Sequence, residues 1–248
     1  KQKTEYEIGV RLVGSEMCIR DRSFAVTVAS DRVGRAYIRP FHAQAHSPLS
    51  GNRLSVMMSS SIDWWIHYFK ERPSATIHAD LSLRKHVLAW TDAAGESKWI
   101  AAFVKIDENW HWTRMRTPDW LWGQLLDRDD HQIGFQELLA VLLALDTFGP
   151  LLHGQLWTCF IDNQGVLAAL LKGGGRAPEI NIAIGRFWLA MAKYRIGFYG
   201  ARVESKSNLA DGPTREDLSM VEELSAQWCE PQLPAWIEGL WCAPRRGE

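Results

Sequence analysis

The stretch LWTCFIDNQGVLAAL, residues 156–170, contains an apolar run, a carboxylate and a second apolar run in immediate succession. Leu156 to Ile161 has the character of a buried strand, and Asp162 follows it directly. Asn-Gln-Gly comes next, and apolar residues then recur at helical spacing. Asp162 therefore either caps the helix or serves as a metal-binding or catalytic carboxylate at the carboxyl end of a strand, where α/β proteins commonly build sites.

Length and composition are those of an ordinary globular chain. It has 248 residues, of which 46% are hydrophobic and 23% charged, with a net charge of −1. Overall charge therefore does not drive binding to nucleic acid, but residues 172–206 contain seven Lys or Arg against two Glu, which allows a local basic patch.

Cysteine usage and hydropathy indicate a compartment. The four cysteines are far apart in the sequence, which fits neither a zinc cluster nor a disulfide scaffold and predicts an intracellular protein. Cytoplasm and nucleus are not distinguished by this pattern. No uninterrupted apolar run reaches the roughly 18 residues of a membrane span, so we expect no membrane partner.

The chain divides into four segments by pattern. An artefactual or disordered tail is followed by a short unit with one amphipathic helix, then by a large α/β unit, and last by an irregular Pro-rich tail; the boundaries are 1–22, 23–80, 81–230 and 231–248. The helix of the second segment has apolar residues at helical spacing, namely Ile62, Trp65, Ile66 and Phe69. This short unit is too small to fold alone, and we expect it to pack on the large α/β unit.

Within the large unit the predicted elements are three strands, a helix, a strand, two helices, a strand and a last helix at about 216–229. The strand sequences are HVLAWTDAA, KWIAAFVKI, NWHWTRMR, LWTCFI and IGFYGARV, and the long helix IGFQELLAVLLALDTFGPLL is stopped by Gly149-Pro150. Short gaps between the first three strands predict an antiparallel meander. The order predicts an α/β fold with a mixed five-stranded sheet and helices on both faces.

Four acids fall at comparable places in this order. Asp92 and Asp162 end apolar strands, Glu137 lies early in the long helix, and Asp211 precedes the last helix. Each has a structural explanation as a turn or cap residue. Four acids that share one sheet edge would repel each other unless divalent cations held them, and two such cations are a standard means of phosphodiester cleavage.

Four motifs carry a resemblance to a known family. They resemble the successive motifs of the ribonuclease H domain of retroelement reverse transcriptases, and the match is closest to DIRS-type and gypsy-like elements. The motifs lie within residues 84–216 and are TDAAG, QELLAVLLAL, FIDNQGVLAALLKG and SKSNLADGPTR. Residues 33–80 look like the thumb or connection at the end of a polymerase. The resemblance implies a ribonuclease H-like sheet and a partner polymerase domain from the same polyprotein.

The resemblance also implies an activity and its residues. The RNA strand of an RNA–DNA hybrid would be hydrolysed by an endonuclease that uses two Mg²⁺ ions, with Mn²⁺ as a possible substitute. The implied metal ligands are Asp92, Glu137, Asp162 and Asp211. Hybrid-contacting candidates are Asn163, Gln164, Lys172, Arg176, Lys206 and Asn208.

One departure and three alternatives remain open. Many cellular ribonucleases H carry a His before the last Asp, whereas this loop reads VESKSNLAD. The chain could instead be an inactive hybrid-binding module of a decayed element, a structural connection domain, or a nuclease of the same superfamily that acts on DNA. The first two alternatives predict no cleavage, and the third predicts cleavage of duplex DNA.

Overall fold

The computed structural model describes residues 34, 37–38, 40–41, 54–71, 84–126, 132–175 and 177–241. The predicted tail 1–22, the end of the Pro-rich tail and the candidate residue Arg176 lie outside this part of the chain.

Six strands form one mixed sheet. They are β1 (His86–Ala93), β2 (Trp99–Ile106), β3 (Asn109–Arg116), β4 (Leu156–Ile161), β5 (Gly197–Arg202) and β6 (Gln227–Trp228), in the spatial order β5-β4-β1-β2-β3-β6. The first three form the predicted antiparallel meander, and β4 pairs in parallel with both β1 and β5. The five predicted strands are confirmed.

Seven α-helices accompany these strands in the described residues. They are α1 (Val56–Glu71), α2 (Asp119–Leu126), α3 (Gln132–Leu152), α4 (Gln164–Lys172), α5 (Pro178–Lys193), α6 (Asp211–Thr214) and α7 (Ser219–Glu223). Two 3₁₀ helices have the bounds Ser205–Ser207 and Ala235–Trp241.

Helices cover both faces of the sheet, as predicted. Successive strand residues point to opposite faces, and the larger core lies where Val87, Ile100 and Trp157 meet α3, α4 and α5. On the opposite face, Phe103 packs in a smaller core that Ala210 and the apolar residues of segment 209–226 cover. The fold is thus α/β and compatible with a ribonuclease H-like arrangement.

The long helix differs from its prediction at one end. Gly149-Pro150 does not stop it, because α3 continues to Leu152. A proline removes one backbone donor, but Phe148 and Leu152 on either side are fully buried and hold the last turn in place.

The last predicted helix, 216–229, is also wrong. Segment α7 is only five residues long, and Ser225 beyond it has a φ of 49°, a left-handed conformation that cannot continue a helix. The chain then forms β6, which pairs in parallel with β3 and gives the sheet its sixth strand.

Helix α1 is confirmed, but only part of its predicted apolar face is buried. Trp64 and Trp65 are buried in the larger core, whereas Ile66 and Phe69 are 48% and 57% exposed. The side chains stack in an aromatic cluster that includes Tyr37 against Trp64 at 4.3 Å between ring centroids. These large rings, rather than the regular apolar period, decide which face of α1 is buried.

Tyr37 also connects the N-terminal unit to the rest of the protein. A Cβ placed on Gly185 of α5 would overlap the Tyr37 ring, so the two elements are in direct contact. The predicted packing of this unit on the large α/β unit is therefore observed.

The Pro-rich tail is more ordered than predicted. Its 3₁₀ helix Ala235–Trp241 buries Ile237 in the larger core, and the Gln232 amide donates to the Thr147 hydroxyl of α3 at 3.0 Å. These contacts fix the tail against the helical layer.

Helix α3 is long and apolar enough to cross a membrane by length and composition alone. Its most apolar window, within Ile133–Leu152, is 78% buried inside the protein. The core helix of a globular protein has the same property, and the position of α3 over the sheet accounts for its composition.

Candidate metal centre

Two of the predicted acids meet because their strands are neighbours. Strands β1 and β4 run parallel, and Thr91 is paired with Ile161. The residue that follows each of these two is an aspartate, so the two aspartates lie side by side in the sheet. Asp92 is near the end of β1, and Asp162 comes immediately after β4. Both carboxylates lie at the same edge of the sheet.

The third acid comes from the helical layer. Glu137 lies on the second turn of α3, and this helix packs across β1 and β2. Only 4% of the Glu137 surface is exposed. One oxygen each from Asp92, Glu137 and Asp162 lie within 4.8 Å of one another. In the part of the chain that the structure describes, this is the one group of three or more His, Cys, Asp or Glu side chains close enough to hold a metal ion.

The electrostatics of this cluster disfavour its charges. Burial raises the pKa of Glu137 to about 9, and the charges of Asp92 and Asp162 contribute in the same direction. Burial also raises the pKa of Asp92 to about 6, although the hydrogen bond from Thr214 opposes that effect. Without a cation, Glu137 therefore keeps its proton near neutral pH.

Two oxygens of the cluster lack the partner that a cation could supply. Glu137 Oε2 and Asp162 Oδ1 are buried and have no hydrogen-bond partner among the described residues. A buried acceptor without a donor is costly, and a divalent cation would satisfy both atoms while it lowers the repulsion. The all-oxygen donor set suits Mg²⁺ or Mn²⁺ and does not suit metals that prefer thiolate.

The neighbouring side chains hold the two strand acids. Thr214 Oγ1 donates to Asp92 Oδ2 at 2.7 Å, and Asn208 Nδ2 donates to Asp92 Oδ1 at 3.3 Å. The Ser205 hydroxyl donates to Asp162 Oδ2 at 2.8 Å. All three donors belong to the segment after β5.

Asp211, the predicted fourth ligand, lies beside this group but is not part of it. It is close enough for its charge to raise the pKa of Asp92. Its two carboxylate oxygens accept from Arg215 Nε at 2.9 and 3.0 Å. The structure thus brings three of the four predicted acids together, whereas the fourth, Asp211, forms an ion pair with the Arg215 side chain.

The two residues after Asp162 have local partners. The Asn163 side chain caps α4 by accepting from the Gly165 and Val166 amides at 3.0 and 3.1 Å. Gln164 is exposed, and in its satisfied amide orientation its oxygen accepts from Arg202 Nη1 at 2.8 Å. Asn163 therefore performs the capping that the sequence left open for Asp162.

The other hybrid-contacting candidates are placed differently from one another. Lys172, in the last turn of α4, and Lys206, in the 3₁₀ helix Ser205–Ser207, are exposed. Asn208 is 5% exposed, and its amide bonds to Thr91 O and to Asp92. Such an amide is placed to hold the strand and its acid rather than to touch a nucleic acid directly.

The sequence assigned no site role to three residues around the acids: Ser205, Arg202 and Thr214. Thr214 lies three residues after the candidate Asp211, and this closeness in sequence was the one signal that it could belong to the site. Its partner Asp92 is 122 residues away in sequence, so only the fold reveals the contact.

Comparisons with known proteins give no assignment. No model of a protein family matches this chain, and no curated protein matches it significantly.

Proposed function

We propose that this protein is a metal-dependent nuclease that hydrolyses the RNA strand of RNA–DNA hybrids, as the ribonuclease H domain of a retroelement reverse transcriptase. The observation that carries the proposal is the convergence of Asp92, Glu137 and Asp162 from β1, α3 and β4 on one sheet edge. The order Asp, Glu, Asp along the chain is the order that the resemblance implies.

The three acids would hold the divalent cations. When bound, these ions supply an activated water and neutralise the leaving oxygen of the phosphodiester. Glu137 and Asp92 are buried, so their carboxyl groups are shielded from bulk water, and both would give up their protons on binding a cation. Asp162 is less buried and presents its Oδ1 from the end of β4.

Cationic side chains near the acids support a nucleic-acid substrate. Arg215 is 69% exposed beside Asp211, and Lys206 is exposed next to Ser205, which binds Asp162. Cations at these places can bind phosphates without reading base sequence. The 2′-hydroxyl is the feature by which the site would distinguish RNA from DNA.

A cleavage assay on the full chain tests the proposal. A labelled RNA–DNA hybrid, single-stranded RNA and duplex DNA are each incubated with the protein and Mg²⁺. We expect cleavage of RNA in the hybrid alone, its loss in Asp162→Asn and with EDTA, and normal cleavage in the matched control Asp63→Asn, which alters an exposed acid of α1. Cleavage that survives Asp162→Asn would contradict the proposal, as would cleavage of duplex DNA.

One observation favours a second candidate, an inactive module that binds hybrid or connects domains. Asp211 is paired with Arg215 rather than joined to the other acids, so the set of four carboxylates is incomplete. Binding of hybrid without cleavage, by folded protein in the presence of Mg²⁺ or Mn²⁺, would support this candidate.

A further inference from the structure

We propose that Ser205, Asn208 and Thr214 form a bracket that orients the two strand carboxylates for metal binding, with Thr214 as its principal positioning residue. The inference rests on the proposed function for the role of the metal. It adds residues that hold the ligands without binding the ion themselves. We call residues 205–214 the bracket segment.

The contact of Thr214 with Asp92 is buried and short. Thr214 is fully buried, and its hydroxyl lies 2.7 Å from Asp92 Oδ2 and 2.8 Å from the Asp211 carbonyl oxygen. A hydroxyl has one proton, and a bond to an ionised acceptor is the stronger one. The proton therefore goes to Asp92 whenever that carboxylate is charged, which is the state that binds a cation.

Asn208 fixes the other oxygen of the same carboxylate. Its two amide protons reach Thr91 O at 2.9 Å and Asp92 Oδ1 at 3.3 Å, and its own oxygen accepts from the Ala210 amide at 3.3 Å. All of its bonding groups are used, so the amide has one orientation. Asp92 is thus held through both oxygens, each of which keeps a lone pair for a cation.

The bracket segment is itself anchored to the sheet. Ser97 Oγ donates to the Thr214 carbonyl at 2.8 Å, and Arg114 Nη1 donates to the Pro213 carbonyl at 3.1 Å. Ala210 is fully buried in the smaller core. These contacts fix the backbone at Thr214, so its hydroxyl is held next to Asp92. The Asp92 carboxylate is therefore oriented before a metal ion binds.

Residues that orient a metal ligand affect metal affinity by about 10- to 100-fold when they are removed. We expect Thr214→Val, which keeps the shape and loses the hydroxyl, to weaken Mn²⁺ binding at least about tenfold. Thr214→Ser keeps the hydroxyl and should stay within about threefold of the parent. Ser205→Ala should have a smaller effect than Thr214→Val, because Ser205 is exposed.

The chain offers a matched control in Thr113→Val. Thr113 is also fully buried in the sheet, but its hydroxyl has no hydrogen-bond partner among the described residues. The same chemical change there should leave Mn²⁺ affinity within about threefold of the parent. This control distinguishes an effect specific to the Thr214 hydroxyl from a general effect of removing a buried hydroxyl.

The test is a calorimetric titration of the full chain with Mn²⁺, without nucleic acid, on the parent, Thr214→Val, Thr214→Ser and Thr113→Val. The proposal is supported by weak binding in Thr214→Val alone. It is overturned if Thr214→Val binds like Thr113→Val, or if Thr214→Ser is as weak as Thr214→Val. A parent chain that binds no Mn²⁺ overturns this inference and the proposed function together, whereas equal affinities overturn this inference alone.

Circular dichroism checks that each variant is folded. If Thr214→Val is unfolded, Thr214→Ala replaces it, since that change removes the hydroxyl and cannot create a clash. If both variants are unfolded, Thr214 is required for folding and the positioning role is overturned.

Discussion

Asp162 and Asn163 are adjacent in the chain but have separate roles at the start of α4. The Asn163 side chain accepts from the amides of Gly165 and Val166, whereas Asp162 turns to Asp92 and Glu137 and receives the Ser205 hydroxyl. Capping and the acidic cluster therefore do not compete for one side chain.

This division can be measured with Asn163→Ala. Loss of the cap should lower the free energy of unfolding by about 1 kcal/mol, while Mn²⁺ affinity stays within about twofold of the parent. Asn163→Ser, which keeps a capping oxygen, should recover most of the stability. Chemical denaturation and metal titration provide the two readouts, and a large loss of metal affinity in Asn163→Ala would show that the roles are shared.

The contribution of Glu137 and Asp92 to the stability of the metal-free protein should fall as pH rises. Glu137 has a pKa of about 9 in the folded state against 4.5 as its ordinary value, and Asp92 about 6 against 3.8. The folded state thus binds protons more tightly, so this stabilisation is complete below about pH 4 and is lost as pH rises towards about 9.

Glu137→Gln isolates that effect. The neutral amide has no charge to bury, so metal-free Glu137→Gln should melt higher than the parent near pH 8, on the order of 5 °C, and the difference should shrink near pH 4. Thermal unfolding followed by circular dichroism measures it. Glu108→Gln, which changes an acid whose side chain is 96% exposed, is the control and should show neither effect. A parent that melts higher than Glu137→Gln near pH 8 would contradict the burial argument.

Divalent cations should reverse this pH dependence. Glu137 and Asp92 must lose their protons to bind a cation, so the rise in melting temperature with MgCl₂ should be larger near pH 8 than near pH 5. Melting curves with MgCl₂ are compared with curves in NaCl of equal ionic strength. An equal rise at both pH values would argue against binding at these carboxylates.

Arg215 should matter more for hybrid binding than for stability. Its ion pair with Asp211 is largely exposed and contributes little to folding. If Arg215 contacts a phosphate, Arg215→Ala should weaken hybrid binding and reduce the slope of log K against log salt by about one. Lys193→Ala removes an exposed cation at the end of α5, near the opposite edge of the sheet, and is the matched control. Unchanged salt dependence in Arg215→Ala would exclude the contact.

The contact of Gly185 with Tyr37 gives a prediction about packing. Gly185→Ala should be destabilising by about 1 to 3 kcal/mol, because the new methyl group meets the Tyr37 ring. Gly149→Ala is the matched change in another helix, where nothing lies within 4 Å of the new atom, and it should be neutral or stabilising by up to about 1 kcal/mol. Equal effects of the two changes in denaturant titrations would show that α5 and Tyr37 are not packed together in solution.

The strands and the site acids on them were predictable because each signal is local. Asp92 and Asp162 terminate apolar runs that are visible in the sequence. The parallel pairing of β1 with β4, which brings the two acids together, is known only from the fold, because β2, β3 and two helices lie between these strands in the chain. Glu137 was found as the polar residue within an apolar helix.

Other features depend on contacts that sequence patterns do not encode. The buried face of α1 is selected by the stacking of Tyr37 on Trp64, not by spacing within the helix. The end of the last helix depends on the left-handed conformation of Ser225. The bonds of Asn208 and Thr214 to Asp92 span more than a hundred residues, and Asp211, the predicted fourth ligand, is paired with Arg215 instead of joining the other acids.

The packing of the N-terminal unit has a practical consequence for expression and proteolysis. A fragment that began at residue 84 would retain strands β1 to β6 and the predicted acids, but it would lose Tyr37, Trp64 and Trp65 from the larger core. The uncovered apolar surface of α5 would then face water and promote aggregation. The smallest soluble fragment is therefore larger than the part that carries the acid cluster, and proteolytic trimming that removes α1 should cause precipitation rather than release a stable α/β core.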